Sequence, residues 1–232
     1  MLLSLWLLLV APAPAKGASG VYFEQTTVPY ASGRAAGPGV TSRVWAAGRK
    51  MRLETGAAGG PAFVLRLDSA TAYRIEPAER RAVAIDATRL RARAQLDTSM
   101  AGDLMGVAEV GSARTTPLAT PRTIAGRACR GFRISAGSTV MDVYLSADLP
   151  VGVDLFADFL AWTGSNQAMA GLFDEIRKLP GFPLETRTRV TVLGELHEIR
   201  STITTLRTGP QPDALFEPPA GYAIVAEEPP SP

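Results

Sequence analysis

The sequence predicts an α+β domain made chiefly of antiparallel strands, with helices confined to short stretches. Three observations carry that reading. Apolar and polar residues alternate with period two through most of 21–85 and 122–207, which places alternate side chains on opposite faces of a sheet. Short turns separate these runs and leave no room for crossover helices, so successive strands form an antiparallel meander. Helical spacing is limited to 86–105 and 151–178.

In chain order, residues 1–10 are an apolar run. Ala11-Pro12-Ala13-Pro14-Ala15 and then Lys16 follow. This is the pattern of a secretory signal peptide cut after Ala15, with Ala13 and Ala15 as the small residues before the cleavage point. The run is shorter than the about 20 apolar residues that span a bilayer. No Lys or Arg precedes it. A single domain is expected over 16–226, with 227–232 as a solvated tail rich in Glu and Pro.

Val21 and Phe23 alternate with Tyr22 and Glu24. Val44 and Ala46 alternate with Arg43 and Trp45, and Met51 and Leu53 with Arg52 and Glu54. Gly48-Arg49 lies between the last two runs and predicts a hairpin turn. Phe63, Leu65 and Leu67 share a face opposite Arg66 and Asp68. Strands over 72–75 and 81–85 flank a turn at Glu76-Pro77-Ala78-Glu79. The stretch 86–105 predicts a helix, started by an Asp86 cap and closed by Gly106.

Strands follow over 128–135 and 138–146, the second placing Met141, Val143 and Leu145 opposite Val140, Asp142 and Tyr144. In 151–178, Leu155 and Phe159, Phe156 and Leu160, and then Met169, Phe173 and Ile176 recur at helical spacing. They predict two short helices, with Trp162 near the end of the first. Long strands over 184–193 and 195–207 close the domain. The alternation slips between Leu196 and Ile199, which predicts a bulge or an offset turn there. Residues 216–225 are expected to dock as a final segment.

Charge is nearly balanced, at 24 basic against 22 acidic residues, which gives no electrostatic case for nucleic acid. Three of the basic residues are lysines (Lys16, Lys50 and Lys178). The preference for Arg, with abundant Ala, Gly and Pro, is attributed to a GC-rich bacterial coding bias. The single Cys129 cannot form an internal disulfide, so packing must supply the stability. No Cys follows the apolar run to accept a lipid, so no membrane anchor is expected after cleavage.

Signatures of chemistry are sparse. Gly56-Ala57-Ala58-Gly59-Gly60 lacks the Lys-Ser/Thr that holds phosphates and reads as a loop. His197 has Glu195 on its own strand face and Glu198 beside it. That trio is either a metal-binding surface cluster or a solvated strand face, and the second is far commoner, so no metal is assigned. No Gly-x-Ser-x-Gly elbow accompanies the lone histidine. Cys129 and His197 would make a nucleophile and base only if the fold joined them. The expectation is a non-enzymatic protein without a cofactor.

What remains is apolar and aromatic content between sheet and helices. Trp45, Leu53, Phe63, Leu65, Tyr73, Phe132, Val143, Phe156, Phe159, Trp162 and Phe173 either fill an ordinary core or line a cavity for an apolar ligand, with 151–178 as its lid.

Several segments resemble a known family in order along the chain. They are Val44-Trp45-Ala46-Ala47-Gly48-Arg49-Lys50-Met51-Arg52-Leu53-Glu54, Tyr73-Arg74-Ile75-Glu76-Pro77, Ile124-Ala125-Gly126-Arg127-Ala128-Cys129-Arg130-Gly131-Phe132-Arg133-Ile134, Val143-Tyr144-Leu145-Ser146-Ala147-Asp148-Leu149-Pro150, Leu179-Pro180-Gly181-Phe182-Pro183-Leu184-Glu185 and Phe216-Glu217-Pro218-Pro219-Ala220-Gly221-Tyr222. The chain is similar to the periplasmic lipoprotein-carrier (LolA-like) superfamily and its uncharacterised exported relatives. The resemblance implies a strongly curved antiparallel sheet, a half-open β-barrel, with short helices covering the concave face. In carrier members that concavity holds acyl chains. The expectation is thus a periplasmic or secreted module that binds a lipid, a lipoprotein acyl chain or another apolar ligand. The alternative is a structural or regulatory domain that binds an envelope protein through a filled scaffold.

Overall fold

The computed structural model describes residues 18–86, 113–162, 170–192 and 194–227. The expected signal peptide (1–15), the body of the helix expected over 86–105 and residues 228–232 lie outside the described residues. The described strands are, in order, β1 (Ala18–Ala31), β2 (Arg34–Ala35), β3 (Val40–Ala47), β4 (Lys50–Thr55), β5 (Ala62–Arg66), β6 (Thr71–Glu76) and β7 (Arg81–Asp86), then β8 (Arg114–Pro117), β9 (Arg122–Ile124), β10 (Arg127–Ala136) and β11 (Thr139–Ser146). Helices α1 (Val153–Trp162) and α2 (Ala170–Arg177) come next, followed by β12 (Phe182–Val192), β13 (Glu195–Gln211) and β14 (Ala223–Ala226).

One large sheet contains them, in the order β14-β7-β6-β5-β4-β3-β1-β13-β12-β11-β10-β8. Its two ends do not meet, so the sheet is curved and open and does not close into a barrel. The long pair β1 and β13 forms its middle and ties the start of the described chain to its end. The Gly48-Arg49 hairpin forms as expected, with Gly48 at φ 55°.

Asp86 closes β7, paired with Thr71, and the helix expected to start there lies outside the described residues. Two expectations are corrected. The slip at 196–199 is not a bulge, since β12 and β13 pair without a break from Glu195 to Thr202. The irregularity lies further on, where Glu24 pairs with Thr205 and Gln25 with Ile203. Leu196 and Ile199, three residues apart, sit on opposite faces and are both exposed, which is what broke the alternation. Finally, the sheet is not wholly antiparallel. The docked C-terminal segment adds β14 parallel to β7, with Ala223 N–H donating to the Arg80 carbonyl at 3.0 Å.

The two faces differ. On one, the helix-covered face, Val21, Phe23, Val44, Met51 and Leu65 from the first meander join Phe182 and Leu184 of β12 and Leu155 of α1. Ile134, Met141, Val143 and Leu145 meet Val153 and Ala157 of α1 and Phe173 and Ile176 of α2. The i, i+4 spacing of 153 and 157 and the i, i+3 spacing of 173 and 176 give each short helix one apolar stripe. Asp154 in the first turn of α1 suits the positive end of its dipole. After α2 the chain turns through Gly181 at φ 99°, where any Cβ would collide with the Ser146 carbonyl.

On the opposite face of β3–β7, Ala47, Ala62, Val64, Ile75 and Ala82 form a shallow apolar dish filled by the fully buried Phe216. The 3-10 turn Asp213–Phe216 delivers that ring. Lys50 Nζ meets Asp213 at 2.6 Å, Arg52 Nη1 donates to the Leu215 carbonyl at 3.4 Å, and Arg66 pairs with Glu217.

Candidate functional site

Between the sheet and the helix pair lies an open trough of about 370 Å³. Phe23, Val44, Met51 and Leu53 form one wall, from β1, β3 and β4. Met141 and Leu184 contribute from β11 and β12, and Phe156, Phe159 and Phe173 project from the helices. Alternation explains the sheet side. Phe23 pairs with Val44, and Val44 with Leu53, so the three stand in one row across adjacent strands. Phe23 and Phe182 rings lie 5.6 Å apart, and Phe156 meets Phe182 edge-on at 6.5 Å.

The trough changes character along its length. Beyond the aromatic end it is lined by Gln25, Thr186, Thr188 and Ser201, with Ile199. Thr27 and Ser201 share a hydrogen bond of 2.9 Å at this polar end. An apolar chain would contact rings and methionine at one end, and hydroxyls and an amide at the other.

The helix pair is held over the trough by charge as well as packing. Asp158 of α1 lies 3.1 Å from Arg177 of α2 and 3.6 Å from Arg49 in the β3–β4 turn. Thr115 Oγ1 donates to Glu175 at 2.8 Å and ties α2 to β8.

Of the sequence-derived candidates, Leu53, Phe156, Phe159 and Phe173 line the trough. Phe63 and Leu65 pack in the adjoining core, and Phe132 and Val143 beneath the helices. Trp45 and Tyr73 lie on the other face, packed around Phe216 with Leu215 and Tyr222, so they do not point between sheet and helices. The Trp162 side chain lies outside the described residues. The sequence reading missed Phe23, Val44, Met51 and Met141 as trough residues. Their strand rows were legible, but the wall each row would face was not.

Other chemistry is dispersed. Cys129 is buried, and burial pushes its thiol pKa up. It lies on β10 near the end where Arg130 pairs with Leu145 and Leu145 with Pro183, whereas His197 pairs with Val190 at the opposite end of β12. Seven residues of strand separate those rows, roughly 20 Å at strand rise, and β11 and β12 intervene. The two do not meet. His197 stands 4.0 Å from Glu195 and is half exposed. Among the described residues no group of three potential metal ligands comes together.

The outer face of β10–β13 carries an ion-pair ladder. Asp142 binds Arg133 at 2.6 Å and also pairs with Arg189. Burial pushes the Asp142 pKa up, but the Arg133 hydrogen bond and the nearby Arg189, Arg133 and Arg187 charges outweigh it and hold the carboxyl below its ordinary value. Glu198 pairs with Arg200 and lies 3.8 Å from Arg187.

An open, mostly antiparallel sheet with a helix pair over an apolar trough describes a scaffold built around a slot. The chain belongs to the DUF4412 family, a domain of unknown function whose model matches residues 64–222. No curated protein matches it. Among solved structures it is similar to PNGF-II, at 13% identity, covering 90% of this chain and 31% of that one with a TM-score of 0.40. It is also similar to MucB in complex with MucA(peri), at 13% identity over 89% of this chain and 57% of that one, TM-score 0.46. A DUF1329 family protein from Desulfovibrio piger is 11% identical over 87% of this chain and 91% of that one, TM-score 0.31. The chain thus spans about a third of PNGF-II and little over half of MucB. At these values the likenesses carry no argument about role. Among the described residues no helix is long and apolar enough to cross a membrane.

Proposed function

We propose that this chain is a non-enzymatic, exported envelope module that holds an apolar ligand, such as a lipid or lipoprotein acyl chain, between its curved sheet and its helix pair. The trough carries this reading. Its volume of about 370 Å³ falls within the range of small-molecule sites, and its wall is mainly aromatic and aliphatic. Apolar wall left open to water forgoes the stabilisation of burial, so a domain with only a structural role gains by covering it. The amphiphilic gradient, from Phe156 and Phe159 to Gln25 and Ser201, suits a ligand with one greasy and one polar end. The sequence resemblance to lipoprotein carriers supports the same use of the concavity, and the 1–15 pattern supports a periplasmic or secreted location. The test is gentle organic extraction and mass spectrometry of protein purified from its native host, paired with uptake of a fluorescent fatty acid. Co-purified lipid and saturable uptake are expected. A protein that is empty and takes up no probe ends this reading.

A second reading, an interaction domain for an envelope protein, is favoured by one observation. Val40, Leu196 and Ile199 are 47%, 45% and 51% exposed, all toward the sheet end formed by residues 27–31 of β1 and the following Ser32. In that case Leu196→Ser, on the face away from the trough, abolishes capture of an envelope protein and leaves fatty-acid uptake intact.

A further inference from the structure

We propose that the outer face of β12 and β13 carries a second binding site, for a phosphate-type dianion, separated from the trough by the thickness of the sheet. Arg122, Arg187 and Arg200 border a crevice of about 300 Å³ together with Thr26, Tyr30 and Thr202. Register builds it. Glu185 pairs with Thr202 and Arg187 with Arg200, on the face opposite Leu184 and Thr186. Two arginines directly opposite each other repel, and such a pair costs stability unless something anionic sits between them.

Acidic neighbours relieve part of that repulsion from below. The side chains of Asp142, Glu185 and Glu198 are only 10%, 17% and 11% exposed, whereas those of Arg122, Arg187 and Arg200 are 42%, 33% and 38% exposed. The carboxylates are sunk among the guanidinium stems, and the surviving N–H donors face solvent. Among the crevice and the adjoining ladder, Arg122, Arg133, Arg187, Arg189 and Arg200 meet Asp142, Glu185 and Glu198, which leaves two positive charges over in this group.

Two of the three crevice arginines are also held in orientation. Arg200 stacks over the Tyr30 ring at 4.2 Å, and Arg122 over Tyr144 at 4.4 Å. Arg122 also donates one Nη to Glu185 at 2.6 Å and Arg200 its Nε to Glu198, and the stacking holds the rest of each fork in place for an incoming anion. Arg187 has its Glu198 contact at 3.8 Å, too long for a hydrogen bond. Fixed forks, threonine hydroxyls and an excess of two charges fit a tetrahedral oxyanion better than a flat carboxylate. The phosphate could belong to a lipid headgroup or to a soluble phosphorylated molecule.

The full exported chain is titrated with inorganic phosphate by calorimetry and floated with phosphatidylcholine vesicles with and without phosphatidic acid. Saturable binding is expected in one or both arms. Binding of free phosphate alone assigns a soluble source, and binding of phosphatidic acid vesicles assigns a headgroup. Arg187→Gln and Arg200→Gln should each weaken it at least tenfold, with fatty-acid uptake unchanged. Arg207→Gln, beside Tyr22 on the same face, should not change it. The proposal is overturned if neither arm binds, or if both glutamine variants bind as well as the parent.

Discussion

In β3–β7 both faces of the sheet are apolar, whereas in β10–β13 only the helix-covered face is. The first half therefore needs two covers. The helix-covered side supplies one, and the C-terminal segment bearing Phe216 supplies the other. The second half needs one cover, α1 and α2, and leaves its far side as arginines and acids in water. One sheet thus meets its burial requirement in two ways, and the difference assigns roles. The Phe216 side is closed and structural, with small residues (Ala47, Ala62, Ala82) making room for one ring. The helix side is incompletely filled, and its surplus space becomes the trough.

The largest way to break this comparison is to remove the structural cover. Phe216→Ala should cost roughly 3–5 kcal/mol, as for other fully buried aromatic truncations, because Ala47, Val64 and Ile75 cannot collapse into the gap across a hydrogen-bonded sheet. Urea denaturation measures it. A loss under about 1 kcal/mol would mean that the dish does not depend on the ring, and the two-cover account of the first half fails.

The next test sharpens the contrast between faces. Leu53→Trp adds bulk inside the trough, and fatty-acid uptake should fall at least tenfold. Trp45→Phe, one strand away but on the Phe216 side, should leave uptake unchanged. Equal effects of the two would show that uptake does not use the trough.

These two residues also show how much the sequence could say. Strand existence and facing were legible because alternation has a physical cause that needs no tertiary information. Val44 and Trp45 had to point to opposite sides. Which side held the helices was not legible, since both faces of β3–β5 are greasy and Trp45 looks as suited to a cavity as Leu53. The Phe216 segment decides it, through contacts across more than 150 residues such as Lys50 with Asp213. The apparent slip at Leu196 and Ile199 misled for a related reason. Two exposed apolar residues out of phase imitate a bulge when burial is unknown. The arginine crevice was invisible because its residues come from four strands and meet only through register.

Asp142 tests the solvent-facing half. Its carboxyl titrates below the ordinary value because of Arg133, Arg189 and Arg187, so its contribution to stability is complete above the ordinary carboxylate range near about 4. That contribution is lost as pH falls through the lowered value. Asp142→Asn should cost about 1–2 kcal/mol at neutral pH, since the arginines it leaves can still reach water. It should also flatten the fall in stability below about pH 4. Denaturant midpoints across that range give the answer, and a slope identical to the parent's would remove Asp142 from the ladder's energetics.

The smallest expected effect concerns the helix cover itself. Asp158 bridges Arg177 on α2 and Arg49 in the β3–β4 turn, at 3.1 and 3.6 Å, with all three side chains partly exposed. Exposed pairs of this kind contribute about 0.2–1 kcal/mol, so Asp158→Asn should lower global stability by roughly 0.5 kcal/mol or less. If α1 and α2 open to admit ligand, the same small loss appears in the opening equilibrium, where nothing larger masks it. Fatty-acid uptake should then be faster in Asp158→Asn by about twofold at low salt, since about 0.5 kcal/mol corresponds to that factor in an equilibrium constant. The difference should vanish as added salt screens the parent's ion pairs. Uptake rates that are equal at low salt would mean that ligand enters by the polar end of the trough, past Gln25 and Ser201, with the helices staying in place.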